Sequence, residues 1–89
     1  MAKFDKIAVL NKIGSTGMVP VFYHKDAEVA KKVVKACYDG GVRAFEFTNR
    51  GDFAHEVFAE VVKFAAKACP EMAMGVGSIV DPATSSLYI

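Results

Sequence analysis

Three short apolar segments, repeated at a regular interval, constrain the fold of this chain more than any other feature. They occupy residues 18–23, 42–48 and 72–79. Continuous apolar runs of this length are typical of strands covered on both faces, as in parallel sheets. A segment of helical periodicity follows each of them, and the repeat of roughly 25–30 residues is long enough for a parallel strand–helix unit. We therefore predict an α/β fold whose strands are mutually parallel and adjacent in sequential order.

The segments between the predicted strands carry signals for helix ends. Asp26 and Asp81 are suitable N-cap residues, and Pro82 stands at a first helical position, where its missing N–H costs nothing. Gly14 is the expected stop of a leading helix. Pro20 cannot donate to a strand ladder, so we expect the first strand to be bent or bulged there. The predicted helices lie at 3–13, 27–39, 52–68 and from residue 81 onward.

The chain is rich in apolar residues for its size. It has 89 residues, of which 53% are hydrophobic, and a free-standing domain this small is usually marginal in stability. This apolar excess has two interpretations, a core shared with further chain or an interface. We expect residues 1–89 to be the N-terminal part of one barrel domain, with a leading helix and three strand–helix units, the last incomplete. An open sheet of this kind is expected to expose apolar side chains on one broad face and to be unstable as a monomer. The side chains expected there are Met18, Val21, Met74 and Val76, or their neighbours.

Charge and hydropathy argue against several classes of partner. The net charge is +1, with 11 basic and 10 acidic residues, so a basic surface for nucleic acid is not expected. No apolar run approaches the roughly 20 residues of a membrane-spanning helix, and the N-terminus lacks a signal peptide's apolar region. We predict a cytoplasmic protein that binds neither nucleic acid nor membrane. Cys37 and Cys69 match no metal or redox spacing and are expected to be reduced and partly buried.

The second predicted strand carries the residues that could take part in catalysis or substrate binding. Side chains alternate between the faces of a strand, so Glu46, Thr48 and Arg50 share one face, and Phe45 and Phe47 share the other. The phenylalanines are expected to pack under the helices, and the polar trio to point away from them. Arg50 would lie about 13 Å beyond Glu46, at the carboxyl end of the strand, where barrel enzymes have their active sites.

These residues alone leave two interpretations open. Charged side chains inside a barrel are costly unless they are paired or serve a function. Glu46 and Arg50 could neutralise each other or face water at an edge. They could equally belong to an active site.

Four segments resemble the 2-keto-3-deoxy-6-phosphogluconate (KDPG) / 4-hydroxy-2-oxoglutarate (KHG) aldolase family, at its N-terminal portion. They are 15–21 (Ser-Thr-Gly-Met-Val-Pro-Val), 40–43 (Gly-Gly-Val-Arg), 46–50 (Glu-Phe-Thr-Asn-Arg) and 75–79 (Gly-Val-Gly-Ser-Ile). The resemblance implies a (β/α)8 TIM barrel that forms a homotrimer, a class I aldolase (a lyase) that works through a Schiff base. It also implies carbohydrate metabolism in the Entner–Doudoroff pathway. The expected substrates are 2-oxo acids, cleaved to pyruvate plus glyceraldehyde 3-phosphate or glyoxylate, with no cofactor and no metal ion.

The resemblance also implies roles for individual residues. Glu46 matches the general acid/base glutamate, and Arg50 matches the arginine that binds the pyruvate carboxylate. Ser78 stands where the family often has threonine, and its hydroxyl would assist the same carboxylate. Thr48 is a supporting residue of the binding site. Asn49 replaces a common leucine, which affects only the expectation for local packing.

One essential group of the family is missing from this chain. Its Schiff-base lysine lies on a later strand, and none of the lysines here falls on a predicted strand. Lys25 follows the first strand, but an exposed lysine stays protonated and is a poor nucleophile. His24 beside it is interpreted as an exposed loop residue. We therefore expect the 89-residue segment by itself to be inactive.

Two other functions remain open. One is a different small-molecule barrel enzyme, such as a sugar-phosphate isomerase or epimerase, which would use the same carboxylate as a base. The other is a half-barrel binding or self-associating module without catalysis. That module would need a self-complementary apolar edge and no buried Glu46–Arg50 pair.

Overall fold

The computed structural model describes residues 3–89 and has an α/β architecture. Its sheet has three parallel strands in the order β1-β2-β3, so the second strand is central. This arrangement confirms the predicted α/β class and the parallel, sequential order of the strands. In chain order the elements are α1 (Lys6–Thr16), β1 (Val21–Phe22), α2 (Ala27–Asp39), β2 (Ala44–Thr48), α3 (Ala54–Ala68), β3 (Ala73–Gly77) and α4 (Pro82–Tyr88).

The predicted N-caps of two helices are confirmed. The carboxylate of Asp26 accepts from the Glu28 N–H at 2.9 Å and begins α2. The carboxylate of Asp81 accepts from the Thr84 N–H at 2.7 Å and begins α4. In contrast, α3 begins after Phe53, whose left-handed φ of 58° comes with no side-chain cap.

The leading helix differs from its prediction over 3–13. It begins three residues later, after Asp5, whose side chain accepts from the Ala8 N–H. It also continues through Gly14 and ends at Gly17. Gly17 has a φ of 67°, and its N–H donates to the Ile13 carbonyl at 2.8 Å. That left-handed conformation is the one that glycine adopts without a steric penalty, so the second glycine is the stop.

The first strand, Val21–Phe22, is shorter than the predicted 18–23, and Pro20 lies directly before it. Its ladder begins only at the next residue, since proline has no N–H to donate. The Pro20 carbonyl still accepts from the Glu46 N–H at 2.9 Å. The proline therefore pairs with β2 through its carbonyl.

One face of the sheet packs against α2 and α3, and we call it the helix face. Phe45 and Phe47 lie there, almost completely buried. The two helices contribute alanine, valine and phenylalanine side chains to the same core, which confirms that Phe45 and Phe47 pack under the helices. The buried helix residues are Ala30 and Val34 from α2, and Ala54, Phe58, Val61 and Ala65 from α3.

The other side of the sheet, which we call the opposite face, is lined by smaller residues. Strand register pairs Glu46 with Val21 on one side and Gly75 on the other, and pairs Thr48 with Gly77. Neighbouring residues in register point to the same side, so these side chains share the face that carries Glu46. Gly75 and Gly77 have no side chains, which leaves space above β3 on this face.

From the sequence, Met74 and Val76 are expected to be exposed on the same face as Met18 and Val21. This expectation is wrong, because the two β3 residues point to the other face of the sheet. Register places Met74 beside Phe45 and Val76 beside Phe47, and both pack against the core on the helix face. Met18 and Val21 are exposed as expected, each by 56%. A shift of one residue in a strand moves a side chain to the other face, and β3 has apolar residues at both parities.

The leading helix lies at the amino end of the sheet. The Lys3 ammonium donates to the Pro70 carbonyl at 2.6 Å, and Lys12 forms an ion pair with Glu71 at 3.2 Å. Both acceptors immediately precede β3. The carboxyl ends of the strands therefore lie away from α1. None of the helices in residues 3–89 is long and apolar enough to cross a membrane.

Candidate active site

The carboxylate of Glu46 lies directly over Gly77 on the opposite face of the sheet. A Cβ placed on Gly77 would overlap it, lying 2.7 Å from the carboxylate carbon. Glu46 is half-buried at the centre of β2, and Gly77 is the last residue of β3. Any larger residue at position 77 would displace the carboxylate. The missing side chain therefore creates the space that Glu46 occupies.

Thr48 lies two residues further along the same face and is 4% exposed. Its hydroxyl has no hydrogen-bond partner among the described residues. Buried hydroxyl groups are normally paired, so an unpaired one at a strand end marks a position where a partner is expected. Together, Glu46 and Thr48 present a carboxylate and a hydroxyl on one face near the carboxyl end of the sheet.

Arg50 and Ser78 follow the two strands at this end. Arg50 is exposed two residues beyond β2, and Ser78 is exposed one residue beyond β3. Within residues 3–89, Arg50 forms no ion pair with Glu46. The structure thus brings the segments of Arg50 and Ser78 to one end of the sheet, without a hydrogen bond between the two side chains.

Asn49 connects these two segments. Its N–H donates to the Gly77 carbonyl at 3.0 Å, and its side-chain amide donates to the Ser78 carbonyl at 3.3 Å. Its amide oxygen accepts from the Tyr88 hydroxyl at 2.7 Å. The expectation that the replacement of leucine by Asn49 affects only local packing is wrong, because the polar side chain joins β2 to the β3–α4 turn and to α4.

Tyr88, which donates to Asn49, is held in place by contacts of its ring with α3. Its ring packs edge-on against Phe58 at 5.4 Å and lies 6.3 Å from His55. Burial raises the pKa of the Tyr88 hydroxyl, which keeps the hydroxyl protonated as a donor to Asn49.

A shallow cleft at the same rim is lined by Tyr23, His24, Lys25, Gly51 and Asp52. The His24 ring accepts from the Asp26 N–H through Nδ1 at 3.0 Å. This hydrogen bond occupies His24 in the turn before α2. Lys25 is exposed.

The chain's lysines lie outside the strands in residues 3–89, on helices or loops. The same residues contain no group of three histidine, cysteine, aspartate or glutamate side chains placed to hold a metal ion. Cys69 is buried, and burial raises the pKa of its thiol. A protonated, buried thiol behaves as a small apolar residue.

Sequence reasoning missed Gly77 and Tyr88 as parts of this site. The Gly75–Gly77 spacing was the available signal for the first, because residues two apart share one face of a strand and two glycines there leave a groove. No local pattern pointed to Tyr88, since its contact with Asn49 joins residues 39 positions apart.

The chain is similar in sequence to enzymes named KHG/KDPG aldolase. The proteins of this name from Escherichia coli (strain K12) and Shigella flexneri are each 35% identical to it over 65 residues. The match covers 73% of this chain and 29% of each aldolase. No model of a known protein family matches the chain. The resemblance read from the motifs is thus confirmed at modest identity, over less than a third of the length of these relatives.

Proposed function

Because the chain is related to the KHG/KDPG aldolase family, we propose that it forms the acid–base and carboxylate-binding part of a 2-oxo acid aldolase. The substrates would be KDPG, KHG or both, and pyruvate would be the common product. Each member of the site would contribute a different interaction. Glu46 would transfer protons, Arg50 and Ser78 would bind the pyruvate carboxylate, and Thr48 would support them.

The position of the Glu46 carboxylate is the observation that carries this proposal. It lies half-buried over Gly77, near the carboxyl end of a parallel sheet and on the face away from α2 and α3. Enzymes built on α/β barrels have their catalytic groups at that end of the strands. Within residues 3–89 the Glu46 carboxylate forms no ion pair and the Thr48 hydroxyl on the same face has no hydrogen-bond partner. A carboxylate in such a position is suited to proton transfer rather than to a structural role.

Aldol cleavage requires several proton transfers for one reaction cycle. An amine adds to the oxo carbon, water leaves, and the substrate hydroxyl gives up a proton as the carbon–carbon bond breaks. Glu46 would accept and return these protons in turn. The electron pair of the broken bond would form the double bond of an enamine, with the iminium nitrogen accepting the π electrons of the C=N bond. This step requires a lysine nucleophile, which in a class I aldolase of this family lies on a later strand.

Arg50 is suited to the carboxylate because its planar guanidinium donates two parallel hydrogen bonds. Its exposed position beyond β2 leaves the guanidinium accessible to an anion at the rim. The Ser78 hydroxyl, at the end of the neighbouring strand, would donate to the same group. We propose that this pair determines selectivity for 2-oxo acids.

The finer properties of the family complete the proposal. The fold would be a (β/α)8 barrel closed by further strand–helix units, with residues 1–89 as its first part. The enzyme would be a cytoplasmic homotrimer, and its reaction would need neither a cofactor nor a metal. The parallel sheet with helices on one face supports the barrel. The three strands alone would be its opening segment.

Replacing Glu46 by glutamine tests the central role. In the protein as the cell produces it, Glu46→Gln should lower turnover by about 10²-fold or more, the usual scale for a lost general acid/base. Trapping of pyruvate on the enzyme by borohydride should survive better than cleavage does, because the nucleophile is retained. Cleavage kinetics and the mass of the trapped adduct measure the two effects.

Glu56→Gln is the matched control, because Glu56 is an exposed glutamate in the first turn of α3. It should leave both readouts unchanged. Near-normal turnover in Glu46→Gln would exclude the acid–base role. If substrate conversion occurs with no trapped pyruvate adduct in any variant, the isomerase or epimerase alternative replaces the aldolase.

The exposed apolar side chains Met18 and Val21 favour a second candidate, a self-associating module. Val21 lies in β1 on the face that carries Glu46, and Met18 lies three residues before that strand. Size-exclusion chromatography with light scattering on residues 1–89 measures this directly. We expect association or aggregation, and a compact monomer that unfolds cooperatively would contradict it.

A further inference from the structure

The side-chain amide of Asn49 has a defined orientation. Its oxygen accepts from the Tyr88 hydroxyl at 2.7 Å, so its NH2 group points to the Ser78 carbonyl at 3.3 Å. The backbone N–H of the same residue donates to the Gly77 carbonyl. One residue at the end of β2 therefore holds two consecutive carbonyls at the end of β3.

Ser78 needs such support because of its backbone. Its φ is 64°, which places it in the left-handed region. A residue with a Cβ pays a free-energy cost in that region, and neighbouring contacts must stabilise it. The only side-chain donor to its carbonyl within residues 3–89 is the Asn49 amide.

We propose that Asn49 is a positioning residue, which sets the direction of the Ser78 hydroxyl and the start of the Arg50 segment for binding of a 2-oxo acid carboxylate. The inference rests on the proposed function of Arg50 and Ser78. It assigns to Asn49 a role that leucine, the residue common at this position in the resembling family, cannot perform. Tyr88 contributes by orienting the amide, so α4 takes part in the site through this contact.

Pyruvate is the probe, because its carboxylate binding requires neither cleavage nor a Schiff base. In the protein as the cell produces it, Asn49→Leu should raise the dissociation constant of pyruvate about three- to tenfold, the range expected for one lost hydrogen bond. Tyr88→Phe should raise it by about twofold, since the amide remains but loses its orienting donor. Asn11→Leu is the control, because Asn11 is exposed on α1 at the other end of the sheet. It should have no effect.

Two backgrounds at position 78 separate positioning from a general loss of structure. Ser78→Ala and Ser78→Gly both remove the hydroxyl, but only glycine adopts a positive φ without cost. Asn49→Leu should therefore weaken pyruvate binding by its full factor only in the protein that retains Ser78. Combined with Ser78→Ala its effect should be smaller, because only the Arg50 segment is left to position, and combined with Ser78→Gly it should be less than about twofold, because that backbone needs no support. A double-mutant comparison of this kind isolates the coupling between the two positions.

Titration calorimetry measures all dissociation constants, and thermal melting verifies that each variant is folded. An effect of Asn49→Leu in the Ser78→Ala background equal to its effect in the protein that retains Ser78 would overturn the inference. So would unchanged binding in Asn49→Leu while Arg50→Ala abolishes it, which would leave the proposed function intact. Absence of pyruvate binding by the unmodified protein would overturn the proposed function and, with it, this inference.

Discussion

The two faces of the sheet are built from different kinds of residue, although they alternate along the same strands. On the helix face, β2 and β3 contribute bulky side chains that are packed against α2 and α3. On the opposite face, the same strands contribute a carboxylate, a hydroxyl and two glycines. The first face stabilises the fold through apolar burial, and the second leaves space for a polar group. The comparison shows how a five-residue strand can serve both purposes, because its side-chain period is two.

The largest expected effect comes from breaking the helix face. Phe47 is fully buried and contacts the rings of Tyr23 and Phe58 at 5.4 and 5.7 Å. Phe47→Ala should lower the free energy of unfolding by about 3–5 kcal/mol, through lost burial and the cavity that remains. Denaturant unfolding of the protein as the cell produces it measures the change.

Val21→Ala is the matched control on the opposite face. Val21 is more than half exposed at the sheet edge, so the cost should be within about 0.5 kcal/mol. A cost for Val21→Ala as large as that for Phe47→Ala would show that the opposite face is also a core, covered by another part of the protein or by another copy.

A smaller effect is expected from filling the space on the opposite face. Gly77→Ala places a methyl group where the Glu46 carboxylate lies. The carboxylate must move, and we expect turnover to fall about tenfold while the free energy of unfolding changes by about 1 kcal/mol. Steady-state kinetics and denaturant unfolding together separate the two effects.

Gly75→Ala is a suitable comparison, because Gly75 lies on the same face and an added Cβ would be no closer than 3.9 Å to the Phe45 carbonyl. That is ordinary van der Waals contact. If Gly75→Ala and Gly77→Ala reduce turnover equally, the specific contact between Gly77 and Glu46 does not explain the loss.

The smallest expected effect is a pH dependence at the start of α4, which carries Tyr88 to the Asn49 contact. The Thr84 N–H and hydroxyl both donate to Asp81 and lower the pKa of its carboxyl. Since the pKa is depressed in the folded state, this cap stabilises α4 above the ordinary aspartate value of about 4. The stabilisation is lost as the pH falls through the lowered folded-state value.

The chemical shift of the Thr84 amide proton, followed by NMR from pH 6 downward, reports this titration. We expect a midpoint below the ordinary aspartate value, and in Asp81→Asn the titration should disappear. A midpoint at or above the ordinary value would contradict the cap as the source of the shift. The phenylalanine core of the helix face, which within residues 3–89 is built of apolar side chains, should be insensitive over the same range.

Local patterns in the sequence determined much of this architecture. The apolar runs and their spacing indicated three parallel strands, and Asp26 and Asp81 marked helix starts because a capping carboxylate satisfies N–H groups within three residues. The alternation in β2 separated Glu46 from Phe45 and Phe47. These features depend on interactions within one element, and sequence reasoning reaches them for that reason.

Only the tertiary structure decided how the strand ends meet. Pairing with β2 determines which residues of β3 point to which face, with Met74 on the helix face and Gly77 under Glu46. The sequence of β3 does not determine this, because apolar or small residues occupy both its odd and its even positions. The contact of Asn49 with Ser78 and Tyr88 joins residues that are far apart in the chain. Whether side chains so far apart in sequence come within hydrogen-bond distance depends on the packing of complete elements, which no local pattern encodes.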